Sequence, residues 1–403
     1  MAGAGPGGLA AALMLSRAGH RVQLFERFET PRPLGSGLML QPTGLAVLAA
    51  LGLYPEIAAL GARVERLIGT DARTGRAVLE VAYRPLGPDV HAIAVHRAAL
   101  FNVLHDAVVA ARLPIRTGFA VEALERSAGK QWLVGPQGRE GPFDLVVDAL
   151  GSASPLKVEA RIPSQSRPLS FGTIWGTVPW VDAGFRRDAL MQRYRKASVM
   201  IGVLPVGRQR RDGPELAAFF WSLKPESFAA LKAAGIDSWR NEVLGHWPET
   251  APHLEAIGDF EAMTLARYAH HTLRVPAGDG IVFIGDSAHA TSPQLGQGAN
   301  MALLDAAALA GALAGAASID EALGEYARLR RWHVRLYQLL SLTLTPFYQS
   351  DGAVLPLARD VLVSAIAKVP PVPWLLASMV SGQLLGPLKV LRLETESLRE
   401  VAV

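Results

Sequence analysis

The sequence contains no cysteine in its 403 residues. This absence excludes disulfide bonds, thiolate metal sites and a redox-active dithiol, and it suits a reducing compartment, so we expect a cytoplasmic protein. The other metal-ligating residue types form no cluster with metal-ligand spacing, and no metal site is predicted. No Ser-His-Asp arrangement is evident either, so the sequence leaves the catalytic residues unassigned.

Long apolar runs are also missing. The most apolar late stretch, residues 369–391, is interrupted by prolines and glycines, whereas a membrane-spanning helix needs roughly twenty apolar residues in a row. We therefore expect no integral membrane span. Buried helices are the simplest interpretation of this stretch, and an apolar lid or a peripheral membrane contact is the alternative.

Long runs of one charge are absent too, although the net charge is +4. Arginines occur as scattered pairs, at 186–187, 210–211 and 330–331, without interleaved aromatic residues. This pattern predicts no nucleic-acid partner. A mildly basic surface that attracts an anionic cofactor or a small-molecule substrate is the preferred interpretation, and no feature indicates an oligomeric state.

What the sequence does contain is ample apolar material, since half of its residues are hydrophobic and 19% are charged. Its length predicts at least two interlocked domains. Apolar periodicity predicts helices over residues 7–18, 43–52, 97–111, 227–235, 298–314 and 318–344, the last opened by the capping box Ser318-x-x-Glu321. It predicts strands over 21–25, 66–70, 77–82, 120–124, 131–134, 143–150, 169–180, 198–206, 215–223 and 280–285.

A glycine-rich segment opens the chain. Gly3, Gly5 and Gly8 match the G-x-G-x-x-G pattern, a predicted helix follows, and the next predicted strand leads to Glu26, eighteen residues after Gly8. In this fingerprint the first glycine allows a tight turn, the second lets a pyrophosphate approach, and the third permits helix–strand packing. The helix N-terminus stabilises phosphate charge and the acid accepts hydrogen bonds from a ribose. The pattern predicts a dinucleotide site.

A second constellation begins with the apolar strand at 280–285 and ends in Asp286. An acid at the carboxyl end of a strand lies where open α/β sheets bind ligands, and it can hold a polyol hydroxyl. Gly296 and Gly298 follow just before the predicted helix at 298–314. They would let a flat ring approach backbone N–H groups, whose dipoles stabilise negative charge on a reduced flavin.

At these residues the sequence resembles the class A flavin monooxygenases, the group of para-hydroxybenzoate hydroxylase and salicylate hydroxylase. The resemblance covers nearly the whole chain and implies FAD as the cofactor, with NAD(P)H as co-substrate. The loop 35–42 is similar to the loop that lies beside the flavin in this family. The residues that the resemblance assigns to FAD are Gly3, Gly5, Gly8 and Glu26 at the ADP half, Arg27 as a further ligand, Arg97 at the flavin chain, Asp286 at the ribityl or pyrophosphate side, and Pro293, Gly296, Gly298, Ala299 and Asn300 along the isoalloxazine.

The fold class expected from the resemblance is α/β, with a Rossmann-type FAD-binding domain, an interlocked β-sheet substrate domain and C-terminal helices. The FAD-binding domain is discontinuous and comprises residues 1–65, 97–162 and 275–317. The β-rich substrate domain comprises 66–96 and 163–274, and the C-terminal helical segment comprises 318–403.

Two positions depart from the family pattern. Only Met1 and Ala2 precede Gly3, so the central strand is expected to be short and FAD affinity to suffer. The family's Ala-Asp-Gly segment here has Leu150 at the position of the acid. Leu150 is expected to slow flavin reduction by NAD(P)H, unless Asp148, two residues earlier on the same strand face, replaces the missing contact.

The resemblance implies hydroxylation of a small aromatic or hydrophobic substrate with NAD(P)H and O2 through a flavin hydroperoxide. A FAD-dependent reductase or dehydrogenase of the same fold is one alternative, and a degenerate flavin-binding protein without monooxygenase activity is another. A halogenase is disfavoured because 175–180 lacks the Trp-x-Trp-x-Ile-Pro segment. Trp175, Phe219 and Trp221 are candidates for stacking on a substrate ring, with simple core packing as the alternative.

Overall fold

The computed structural model describes residues 1–30, 36–162, 164, 166–352, 354–366 and 369–393. Gly35 and Pro163, at the edges of a predicted loop and of a predicted domain, lie outside the described residues. The α-helices are α1 Pro6–Arg17, α2 Pro42–Ala50, α3 Tyr54–Leu60, α4 Arg97–Ala110, α5 Phe228–Ala234, α6 Ile236–His246, α7 Ala251–Glu255, α8 Asp286–His289, α9 Gly298–Gly315, α10 Ile319–Tyr348, α11 Val354–Ile366, α12 Val372–Val380 and α13 Pro387–Val390.

The β-strands belong to a mainly parallel sheet, a large mixed sheet and three small antiparallel sheets. They are β1 Leu24–Phe25, β2 Gly37–Leu40, β3 Ala62–Val64, β4 Arg66–Asp71, β5 Ala77–Ala82, β6 Ala92–His96, β7 Ile115–Arg116, β8 Ala123–Ser127, β9 Lys130–Gly135, β10 Gly138–Phe143, β11 Val146–Asp148, β12 Arg167–Pro168, β13 Gly172–Pro179, β14 Ala189–Arg195, β15 Val199–Arg208, β16 Glu215–Leu223, β17 Met263–Ala266, β18 Ala269–His270, β19 Ala277–Gly278 and β20 Ile281–Phe283.

The mainly parallel sheet forms around the first residues of the chain. Ala2 bridges Phe25 of β1 on one side and Asp148 of β11 on the other. Strand β7 continues the sheet beyond β1, while β20 and the antiparallel β19 continue it beyond β11. The short central strand is thus paired on both sides. The glycine-rich segment begins at its carboxyl end, where parallel sheets bind ligands.

The large sheet has seven strands in the order β17-β13-β16-β15-β14-β4-β5. Neighbours are antiparallel except β14 and β4, which run parallel. One face packs on α6 through a core that contains Trp239. Because side chains alternate along each strand, every second residue of this sheet points to the opposite face.

Several local predictions are confirmed, and others are wrong. Strands β5 and β16 have the predicted bounds, and the capping box opens α10, where Ser318 Oγ accepts from Glu321 N at 3.2 Å. The strands predicted at 120–124 and 131–134 have other bounds in the structure. They correspond to β8 and β9, which form a separate antiparallel sheet with the unpredicted β10. The domain boundaries stay a prediction.

Among the described residues, one helix is long and apolar enough to cross a membrane, namely α9. It packs against α1, α2 and α10, and 56% of it is buried inside the protein. Helix α9 therefore contributes to the core, and its N-terminus points to the edge of the fold where Asp286 lies.

Candidate cofactor and substrate site

The glycine-rich turn has the steric requirements that its pattern predicted. Gly3 has φ +99°, and a Cβ there would lie 2.6 Å from the carbonyl oxygen of Ala149. A Cβ on Gly8 would lie 2.1 Å from the carbonyl oxygen of Gly3, so the helix–turn contact needs glycine. A Cβ on Gly5 would meet no atom within 4 Å. The free space lies over Gly5, at the N-terminus of α1, which has no side-chain cap.

Glu26 follows β1 and faces this turn. Its two carboxylate oxygens accept hydrogen bonds from the backbone N–H groups of Ala4 and Phe28, both at 3.1 Å. Each oxygen keeps a second lone pair, so the half-buried carboxylate can also accept from ribose hydroxyls. Arg27 is exposed and its guanidinium lies 4.7 Å from the centre of the Phe28 ring.

Asp286 lies at the carboxyl end of β20, as predicted, and starts α8. A Cβ on Gly298 would lie 3.8 Å from Asp286 Oδ1, which places the carboxylate beside the uncapped N-terminus of α9. Solvent reaches the Asp286 side chain, yet the surrounding protein raises the pKa of its carboxyl. The nearby His289 and Arg97 act in the opposite direction and favour the ionised form.

Arg97 connects the two sides of the site. Its backbone N–H donates to Ser36 O at 2.7 Å, which fixes the start of α4, and its side chain is exposed. The charge of Arg97 lowers the pKa of Asp286 and that of Tyr268. Ser36 Oγ in turn donates to Gly176 O of β13 at 3.2 Å, so the start of α4 is linked to the large sheet.

The side chain of Asn300 fixes the loop 293–300 through hydrogen bonds to backbone groups. This side chain is fully buried: its Oδ1 accepts from Gln41 N at 2.8 Å, and its Nδ2 donates to Met39 O and Gly296 O at 3.0 and 2.9 Å. The amide is therefore occupied by protein groups, and a role of Asn300 as a side-chain ligand of the flavin is not supported. Asn300 positions the loop, and contact of Pro293, Gly296, Gly298 and Ala299 with the isoalloxazine stays a prediction.

A buried ionic network that sequence reasoning missed lies behind the same loop. Asp305 accepts from His289 Nε2 and Arg330 Nε, both at 2.6 Å, and from Gly285 N at 2.8 Å. Arg330 continues to His333 Nδ1 at 3.1 Å. Burial by itself would raise the pKa of Asp305, but His289 and Arg330 outweigh it and hold the pKa at about 2. The signal that could have revealed the network is an acid within the alanine- and leucine-rich α9, since such an acid needs a partner.

Asp148 does not replace the acid missing at position 150. It is fully buried, its Oδ1 accepts from Leu150 N at 2.9 Å and its Oδ2 accepts from Ser154 Oγ at 2.5 Å. Burial raises the pKa of Asp148 to about 6. The carboxyl thus holds the turn after β11, out of reach of a dinucleotide. Leu150 is partly buried against a core cluster, and its effect on flavin reduction stays a prediction.

The three aromatic candidates lie on opposite faces of the large sheet. Phe219 and Trp221 are buried in the core with Trp239, so stacking of these two on a substrate was wrong and core packing is what the structure has. Trp175 lies on the other face, half-buried, with its ring centre 4.5 Å from that of Phe220. Sequence periodicity marks alternate faces but does not say which face meets the site.

Tyr268 completes the aromatic face and was also missed. Its hydroxyl accepts from Trp175 Nε1 at 3.1 Å. Burial raises the pKa of Tyr268, more than Trp175, Thr173 and Arg97 lower it. The phenol is therefore protonated at neutral pH, and its O–H can donate a hydrogen bond.

A separate cavity of about 390 Å³ lies between the Leu60–Arg63 segment and the edge of the large sheet. Arg187 and Arg208 line it, and both are paired with Glu215. Arg187 is also paired with Asp182, and the third lining cation, Arg63, is paired with Glu65, while the glycine-rich turn and Asp286 are not among the lining residues. The features of a cofactor site are found at the turn, Asp286 and α9 instead.

Comparison with known proteins shows which protein family the sequence matches. A family model described as FAD binding domain matches residues 1–336. The chain is 29% identical over 342 residues to the aurachin C monooxygenase/isomerase of Stigmatella aurantiaca, covering 82% of this chain and 84% of that protein. It is 28% identical to a putative 2-heptyl-3-hydroxy-4(1H)-quinolone synthase of Rhodococcus erythropolis, covering 84% and 85%.

Among solved structures, the fold is similar to that of Klebsiella pneumoniae HpxO complexed with FAD and uric acid. The TM-score is 0.80 at 21% identity, and the alignment covers 95% of this chain and 96% of the other. At this identity the match establishes a shared fold, and it agrees with the α/β architecture expected from the sequence.

Proposed function

Because the chain belongs to the FAD-binding-domain family of class A flavin monooxygenases, we propose that it hydroxylates a small planar aromatic substrate between Trp175 and the loop 293–300. The enzyme is a FAD-dependent monooxygenase that uses NAD(P)H as co-substrate. The observation that carries the substrate proposal is the hydrogen-bonded link from Arg97 N–H to Ser36 O and from Ser36 Oγ to Gly176 O, next to Trp175. A cofactor held at Asp286 and a substrate held at Tyr268 would face each other across it.

The residues at the site fit FAD. The free space over Gly5 suits a pyrophosphate, and the uncapped N-termini of α1 and α9 offer N–H groups to negative charge. Glu26 would accept from the adenosine ribose, and Asp286 from hydroxyls of the flavin chain. Arg27 is proposed only as a neighbour of the adenosine end, since its side chain is exposed and stacked on Phe28.

When bound, FAD supplies the redox and oxygen chemistry. The chain's own groups bind, orient and exclude water. The N-terminus of α9 stabilises negative charge that develops near Gly298, and the Asn300 contacts hold the loop in place for this. Trp175 and Phe220 offer an apolar wall that excludes water, and the protonated hydroxyl of Tyr268 orients a substrate oxygen.

An aromatic heterocycle that carries an exocyclic oxygen and an apolar substituent is the substrate class that we propose. The name of one relative specifies a heptyl-substituted quinolone, and this chemistry suits an aromatic face next to one hydroxyl donor. A cytoplasmic location is part of the proposal, since the absence of cysteine and the use of NAD(P)H both suit a reducing compartment.

The test measures NAD(P)H oxidation, O2 consumption and product mass with the FAD-loaded protein and a panel of alkyl-4-quinolones and hydroxybenzoates. We expect a quinolone to stimulate oxidation and to gain one oxygen atom. Tyr268→Phe should raise KM about fivefold, because one hydrogen bond of about 1 kcal/mol is lost, with FAD affinity unchanged. Tyr54→Phe, at a buried tyrosine in another part of the fold, is the matched control.

Two results would contradict this proposal. If FAD binds and is reduced but no compound gains oxygen, the reductase or dehydrogenase alternative is favoured. If a substrate is oxygenated and Tyr268→Phe behaves like Tyr54→Phe, the aromatic face at Trp175 is not the substrate site.

Asp286→Ala is expected to weaken FAD binding ten- to a hundredfold. The change removes one charge-assisted hydrogen bond, worth about 1.5–3 kcal/mol. Fluorescence titration of the FAD-free protein measures the affinity, and thermal unfolding without FAD checks that the fold is retained. Asp106→Ala, at an exposed acid on α4, is the control. Equal affinities of wild type and Asp286→Ala would remove Asp286 from the cofactor site.

A further inference from the structure

Exposed large apolar side chains are concentrated at the C-terminal end of the chain. Of the fourteen such residues in the described part, eleven lie between Trp332 and Val390. Trp332 is 66% exposed and Trp374 is 52% exposed. Isolated apolar side chains are normal on a protein surface, whereas a contiguous apolar patch marks an interaction site.

These residues lie on neighbouring helices. Helix α10 contacts α11, and both α11 and α12 pack on strand β5. We call their exposed apolar residues the C-terminal apolar face; its members are Trp332, Leu339 and Leu342 of α10, Val354, Leu355 and Leu357 of α11, and Trp374 and Leu375 of α12. Most of this face lies beyond residue 336, where the match to the FAD-binding family model ends.

On α10 the apolar residues continue a basic stripe. Arg328, Arg331, Trp332, Arg335, Leu339 and Leu342 recur at intervals of three and four, so they share one side of the helix, and all are exposed. The guanidinium of Arg335 lies 5.4 Å from the centre of the Trp332 ring. This side of α10 is therefore basic in its middle and apolar towards its C-terminal end.

Within the described part of the chain, the unpaired charge next to the apolar residues of α10 is positive. Arg331 and Arg335 of α10 are exposed and make no ion pair with any described residue. Among the described residues from 337 onwards the acids are Asp351 and Asp360, and each is paired, with Lys224 at 2.8 Å and Arg359 at 2.7 Å. In this described part, the two arginines of α10 therefore supply the unpaired charge beside the apolar face.

We propose that the C-terminal apolar face binds the surface of an anionic lipid bilayer. Exposed Trp and Leu side chains enter the boundary between headgroups and acyl chains, and neighbouring arginines attract acidic headgroups. A second copy of the chain fits less well, because a twofold contact through α10 would bring the arginine stripes of both copies together. The contact is independent of the proposed substrate.

The experiment is cosedimentation of the full-length, FAD-loaded protein with vesicles of phosphatidylcholine, with and without phosphatidylglycerol, at low and high salt. Wild type is expected to bind the phosphatidylglycerol vesicles and to dissociate as salt rises. The double variant Arg331→Gln, Arg335→Gln should bind about 25-fold more weakly, at about fivefold for each basic residue. The double variant Leu339→Glu, Leu342→Glu should lose binding.

Val109→Glu is the matched control, because Val109 on α4 and Leu339 on α10 are both 56% exposed. It should bind vesicles like wild type, and the flavin spectrum of each variant checks its fold. Three results would overturn the proposal: no binding to phosphatidylglycerol vesicles at low salt, unchanged binding of the arginine variant, or a wild-type dimer that Leu339→Glu dissociates. The last result would assign the face to a second copy of the chain.

Discussion

Gly5→Ala is expected to lower the affinity for FAD about a hundredfold or more while the FAD-free protein stays folded. A Cβ at this position meets no atom of the protein within 4 Å, and the backbone there is extended, with φ −72° and ψ 174°, so alanine is tolerated. The same Cβ would fill the space proposed for the pyrophosphate. Displacement of the phosphates from the α1 N–H groups costs at least two charge-assisted hydrogen bonds, about 3 kcal/mol or more.

The measurement pairs a FAD titration with unfolding of the FAD-free protein. Alanine is a poorer N-cap than glycine, so a stability loss of up to about 1 kcal/mol is expected from the cap alone. Gly311→Ala is the matched control, since a Cβ there also meets nothing within 4 Å. It should leave FAD affinity unchanged. If Gly5→Ala binds FAD like this control, the pyrophosphate does not lie over Gly5.

Arg330→Met is expected to destabilise the protein by about 3–5 kcal/mol, because it leaves Asp305 buried without its arginine partner. Arg331→Met, at the exposed neighbour, should change the unfolding free energy by no more than about 0.5 kcal/mol. Chemical denaturation of both variants measures the difference. Because Asp305 also accepts from Gly285 N next to Asp286, we expect Arg330→Met to weaken FAD binding as well.

The same network predicts a dependence on pH. The pKa of Asp305 is about 2 in the folded protein, below its value of about 4 in an unfolded chain. Its contribution is therefore fully present above pH of about 4 and is lost as the pH falls towards 2. Arg330→Met removes one of the two partners that lower the pKa, so the loss of stability in acid should be shallower in this variant.

The double variant Asp305→Asn, Arg330→Met keeps this prediction testable if the single variant does not fold. Removal of both charges avoids an unpaired buried ion, so the double variant should be more stable than Arg330→Met. Equal stability of Arg330→Met and Arg331→Met would show that the buried pair contributes nothing measurable.

Local chemistry made part of the site readable from the sequence. Gly3 and Gly8 are required by sterics within one turn, and Gly5 leaves the space over the start of α1 open. Glu26 follows from the length of a helix and a strand, so the spacing was sufficient to predict the turn. The acid after the strand at 280–285 was found for the same reason. A strand end, a turn and a helix start are contiguous in the chain, and contiguous contacts leave a pattern in the sequence.

By itself, then, the sequence determined the dinucleotide turn, the position of Asp286 and the alternation of side chains along β16. Only the tertiary structure decided that Phe219 and Trp221 lie in the core while Trp175 shares its face with Phe220, because alternation defines two faces without saying what covers each. It likewise decided that Arg330 is buried against Asp305 while Arg331 is exposed. Such contacts join residues that are far apart in sequence, and their partners appear only when the chain is folded.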